Sequence, residues 1–175
     1  MLDKNFNPSL RFMVVSDIHI KDEDCIEEQR FASALKYAYS IARSSENYKK
    51  LDAVVIVGDF ANSGTEIQMQ KAKSILDAGV DYAETQVITS FASHETNGEG
   101  TEVAAERMKR ILSQDPDQHR VINGFHFVSI SPSRSCNYDD DKKAWMAKEL
   151  VCAAEVDRSK PIFVFQHPHN TGTVY

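Results

Sequence analysis

The sequence predicts an α/β domain built on a largely parallel sheet covered by helices. Three observations carry that expectation. Short β-branched runs alternate with longer segments whose apolar residues recur at helical spacing. One run, Ala53–Val57 (AVVIV), is apolar throughout, as expected for a strand covered on both faces. Small polar clusters follow the carboxyl ends of four apolar runs, which is where open α/β sheets place their ligands.

Taken in order, residues 11–15 (RFMVV) read as a first strand that stops at Ser16-Asp17. An acidic stretch able to cap a helix start follows, and then Phe31, Ala34, Leu35, Ala38, Ile41 and Ala42 mark one helical face. The Ala53–Val57 strand ends at Gly58-Asp59. Residues 66–78 read as a helix stopped by Gly79. Residues 86–91 are a third strand, and residues 101–114 a polar helix ended by Asp115-Pro116. Residues 124–130 are a fourth strand, whose polar/apolar mix places it near a sheet edge. Asp139-Asp140-Asp141 precedes a helix with Ala147, Leu150, Val151 and Ala154 on its apolar face. The triplet reads as helix capping, since it lacks the alternating ligand spacing of a calcium loop. Residues 161–165 are a fifth strand, ending at Gln166-His167. Strands separated by helices of this length imply βαβ units. No linker interrupts them, so residues 1–175 form one expected domain, with residues 1–9 as an N-terminal tail.

With 42% hydrophobic and 26% charged residues, the 175-residue chain can bury a core and is not of disordered, collagen-like or disulfide-scaffold type. A net charge of −6 and a pI near 5.5 argue against an extended nucleic-acid or anionic-membrane surface. Cys25, Cys136 and Cys152 are too few and scattered for a disulfide framework or a thiolate zinc cluster. No apolar run approaches membrane-spanning length, and residues 1–11 lack a signal core, so the expected location is the cytoplasm.

The chemistry lies in four clusters: Asp17-Ile18-His19, Gly58-Asp59, Ser93-His94-Glu95 and His167-Pro168-His169. On an extended segment Asp17 and His19 point the same way, and carboxylate with imidazole suits Mn²⁺, Fe²⁺ or Zn²⁺. Asp59 follows a glycine that permits a turn, and a carboxylate can bridge two cations. Glu95 can orient the imidazole of His94. Each cluster also has an ordinary reading as a strand-end turn or loop residue. Their joint occurrence, in order and at matching strand ends, favours a shared site. Arg134 is either a phosphate contact or a surface arginine, Cys136 a reactive thiol or a free surface cysteine, and His126 faces solvent or a partner strand.

Together with Asp17-Ile18-His19, Gly58-Asp59-Phe60-Ala61-Asn62-Ser63-Gly64, Ala92-Ser93-His94-Glu95 and Phe165-Gln166-His167, the chain resembles the calcineurin-like metallophosphoesterase superfamily from residue 11 to 175. That family's pattern is Asp-x-His, Gly-Asp, Gly-Asn-His-Asp/Glu, a later His, and a closing Gly-His-x-His. The resemblance implies an αββα sandwich with helix-flanked, mostly parallel sheets. It implies two divalent metal ions, with Asp17 and His19 on the first, Asp59 bridging, and Ser93 and His167 on the second. It implies that His94, with Glu95 behind it, faces the substrate and protonates the leaving group. The implied reaction is hydrolysis of a small phosphomonoester or a phosphodiester by a metal-bound hydroxide.

Three departures follow. The family's Asn ligand falls at Ser93, a shorter and poorer donor, and the preceding Gly at Ala92. Ala92 would be strained if its backbone needs positive φ. The second metal site is therefore expected to be weak or empty. The closing Gly-His-x-His has no counterpart, so the domain is expected to be incomplete at its C-terminus, impaired, and prone to self-association through an exposed sheet edge. Some family members place the fourth ligand two residues before a Pro, which here is Gln166, although imidazole makes His167 the better transition-metal donor. The alternative function is a catalytically silent module that keeps the fold for binding or scaffolding.

Overall fold

The computed structural model describes residues 7–134 and 137–169. Cys136, residues 1–6 of the expected tail and residues 170–175 lie outside the described residues. The elements in chain order are β1 (Phe12–Val15), α1 (Ile26–Ser44), β2 (Ala53–Val57), α2 (Glu66–Gly79), β3 (Gln86–Ser90), a 3₁₀ turn (His94–Thr96), α3 (Thr101–Leu112), β4 (Gln118–Ile122), β5 (Phe125–Ile130), α4 (Asp140–Val156) and β6 (Ile162–Gln166). No described helix is long and apolar enough to cross a membrane.

The strands form two three-stranded sheets. The first, in order β1-β2-β3, is wholly parallel. In the second, in order β4-β5-β6, β5 runs antiparallel to β4 and parallel to β6. The fully apolar β2 explains the layering. Its alternate side chains Val54 and Ile56 pack with Phe31 and Leu35 of α1, Met69 and Leu76 of α2, and Met108 of α3. Its other face, Ala53, Val55 and Val57, packs with Ile88 of β3 and with Ile122, Phe127 and Phe165 of the second sheet. Helix α4 covers β5 and β6 from the far side. The result is the αββα sandwich that the resemblance implies.

Phe12 fastens the two sheets where it matters for the site. Its ring lies 5.1 Å from Phe127, 4.9 Å from Phe163 and 6.0 Å from Phe165, all edge-on. Phe127 and Phe165 are buried and each contributes about 1.5–3 kcal/mol by removal from water, while Phe12 and Phe163 are half-buried. The contact holds β1 beside β6, so the chain leaves both strands at neighbouring points. At the opposite end Asp52, 4% exposed, accepts bonds from the Arg11 amide (2.7 Å), the Tyr48 hydroxyl (2.6 Å) and the Asn123 side-chain amide (2.9 Å). One carboxylate thus joins the starts of β1 and β2 to the β4–β5 turn.

Two sequence expectations are corrected. Residues 118–122, to which the sequence pattern assigns no element, form β4. Asn123 (φ 52°) and Gly124 (φ 76°) make the two-residue left-handed turn into β5. Consequently β5 is the central strand of its sheet and not near an edge. Its polar residues are buried: His126 bonds His119 of β4 (2.7 Å), so it meets a partner strand and not solvent. The capping expectation at residue 139 holds, because the Asp139 carboxylate accepts the Lys142 amide at 2.9 Å.

Candidate metal centre

The exits of β1, β2, β3 and β6 converge, because β1-β2-β3 are parallel neighbours and the Phe12 contact brings β6 alongside. Backbone bonds then knit the exits together. Asp17 N–H donates to Gly58 O (3.3 Å), His19 N–H to Asp59 O (3.1 Å), and Gly58 N–H to Ser90 O (3.1 Å). Asp17, His19 and Asp59 all have left-handed backbones, with φ of 55°, 55° and 50°. Non-glycine residues hold that conformation at a cost, and such residues gather at functional sites. The extended Asp17–His19 segment expected from sequence is therefore absent. The two side chains converge through these turns instead, with His19 Nε2 3.9 Å from Asp17 Oδ1. Ala92 is not among the left-handed residues, so the strain expected there does not arise.

Two donor groups result, each with ligand atoms within 4.8 Å of one another: His19, Asp59 and His94, and Asp17, Asp59 and His167. Asp59 is common to both and is 5% exposed. Its Oδ1 accepts the His94 amide at 3.0 Å, and its Oδ2 is 3.2 Å from His167 Nε2. His167 donates Nδ1–H to Val57 O at 2.8 Å, which fixes the ring and turns Nε2 toward the carboxylates. His167 is thus the residue brought to Asp59, while Gln166 pairs with Ile130 at the end of β6. His94 donates Nδ1–H to Asn62 O and keeps an exposed ring, edge-on to His19 with centroids 4.6 Å apart. Ser93 precedes it in helical conformation, half-buried, at the start of the 3₁₀ turn.

Glu95 lies elsewhere than expected. It is fully buried and does not support the His94 ring. Its carboxylate accepts three backbone amides: Asp59 (2.9 Å), Ala61 (2.9 Å) and Ala92 (2.8 Å). Burial pushes its carboxyl up to about 7, a rise that the three amide bonds oppose and the nearby Asp59 charge supports.

The residues fit divalent cations. Among the described residues no Lys or Arg pairs with Asp17, Asp59 or Glu95, so the carboxylates gather without a fixed countercharge. His19 Nδ1 is buried and has no hydrogen-bond partner. Mixed carboxylate and imidazole donors suit borderline transition metals. Gly58 (φ 68°) supplies the close approach. A Cβ there would meet Ala92 Cβ at 2.5 Å and the Cβ and Cγ of His167 at 3.0 Å.

A helix-flanked double sheet with carboxylate–imidazole groups at its strand exits suits a divalent-metal site. The chain belongs to the calcineurin-like phosphoesterase family, whose family model matches residues 10–173. No curated protein sequence matches it.

Proposed function

We propose that this chain hydrolyses a small phosphomonoester or a phosphodiester at a dinuclear centre of manganese, iron or zinc. The observation that carries this reading is Asp59, which has ligand atoms within 4.8 Å of His19 in one donor group and of Asp17 and His167 in the other. Asp17 and His167 would hold one ion, and His19 the other, with Asp59 between them. Ser93 adds a weak neutral donor at most. Bound there, the ions supply Lewis-acid polarisation of the phosphoryl group and an acidified water for in-line attack. The chain's own groups do the rest. His94, its Nδ1–H committed to Asn62 O, can hold or release a proton only at Nε2. Its exposed ring binds a phosphoryl oxygen and gives that proton to the leaving alkoxide.

The test uses aryl phosphate mono- and diesters with Mn²⁺. Hydrolysis that needs the metal and stops on chelation is expected. Asp59→Ala should lose metal and activity together. His94→Ala should keep the metal and slow by about 10²–10⁴-fold. No metal-dependent hydrolysis of either ester class overturns the reading and favours a catalytically silent binding module, for which the short Ser93 donor already speaks.

A further inference from the structure

We propose that Glu95 is the positioning residue of this centre: its buried carboxylate sets metal affinity by holding the backbone of Asp59 and Ala92, and it touches neither substrate nor His94. Oε2 accepts both the Asp59 and the Ala92 amides, and Oε1 accepts the Ala61 amide. Those amides belong to the exits of β2 and β3, which the Asp59 carboxylate also joins by accepting the His94 amide. Glu95 holds the Asp59 amide while the Asp59 carboxylate lies beside His19 and His167. The same exit carries the Ala61 amide, so two of the three bonds grip residues 59–61.

A neutral isostere cannot reproduce this. Three donors converge on two oxygens of Glu95. Glutamine offers one oxygen, and its NH₂ would face an amide N–H. One donor is then left buried and unsatisfied, and the loop carrying Asp59 shifts. Removing such outer partners of metal ligands typically costs 10- to 100-fold in metal affinity.

Glu95 has this role only if Asp59 is a metal ligand, and the experiment separates the two claims. Co²⁺ is titrated into wild type and Glu95→Gln, followed by visible absorption. Wild type should bind. Glu95→Gln, folded by circular dichroism, should bind at least tenfold more weakly with an altered spectrum. Saturating metal should restore most of its hydrolysis, whereas it restores none in His94→Ala. Wild type that binds no Co²⁺ removes the metal centre, and this role with it. Wild type that binds while Glu95→Gln binds equally tightly, with the same spectrum, overturns the positioning role alone. Should Glu95→Gln not fold, wild-type amide exchange decides: the Asp59, Ala61 and Ala92 protons should exchange slowly, and rapid exchange overturns the proposal.

Discussion

Replacing Gly58 by alanine should damage both the fold and the metal centre. The added Cβ would fall 2.5 Å from Ala92 Cβ and 3.0 Å from two atoms of His167, where ordinary carbon contacts begin near 3.4 Å. The backbone of residue 58 cannot retreat, because its N–H is bonded to Ser90 and its carbonyl to Asp17. The His167 ring must therefore move away from Val57 O and Asp59. A left-handed alanine costs about 1–2 kcal/mol. Overpacking adds about 1–3 kcal/mol. The sum of about 2–5 kcal/mol corresponds to a melting point lower by roughly 4–20 °C in a chain of this size. Gly98→Ala is the control, since Gly98 has the same φ (69°) with nothing within 4 Å of its Cβ position. It should show only the backbone cost and leave metal binding intact. Thermal melts and Mn²⁺ calorimetry on both variants make the comparison. A Gly58→Ala protein that melts with Gly98→Ala and binds Mn²⁺ like wild type would refute the steric argument.

Two further outcomes follow from groups remote from the site. Burial, then the neighbouring His119, lowers the pKa of His126 below its ordinary 6.5, and Lys160 adds to this while Asp157 opposes it. The unfolded chain therefore binds more protons, so the stability from neutral His126 is full above 6.5 and drains as pH falls through the folded value. Melting temperature should drop between pH 6.5 and 5 in wild type and less steeply in His126→Gln; equal slopes would exclude His126 as the cause. Asp52→Ala strands the Arg11 amide and the Tyr48 hydroxyl proton, while the Asn123 amide keeps Ser9 O and the Tyr48 oxygen; it should cost about 2–3 kcal/mol, read as a lower urea midpoint with an unchanged m-value. A loss under about 0.5 kcal/mol would mean that water replaces those bonds freely.

The parallel sheet was legible because β2 is apolar at every position, and the site because each polar cluster directly follows such a run. What escaped depends on distant partners. His119 and Arg120 make β4 look like a loop, and only Asn123-Gly124, a hairpin signal in plain view, could have revealed it. The polar residues of β5 made it look like a strand near an edge, yet His126 is buried because β4 supplies a partner and α4 covers the strand. Residue types at the site were readable, but the left-handed turns at Asp17, His19 and Asp59 are imposed by bonds between strand exits that sequence does not display. The same holds for Glu95. Its neighbour His94 invited a pairing, whereas three amides up to 36 positions away claimed its carboxylate.

Mn²⁺ titration followed by electron paramagnetic resonance tests the shared carboxylate most directly. Two ions per chain with an exchange-coupled spectrum, lost in Asp59→Asn, is the predicted result. Manganese that never binds, or binds as magnetically isolated ions indifferent to Asp59, would contradict it.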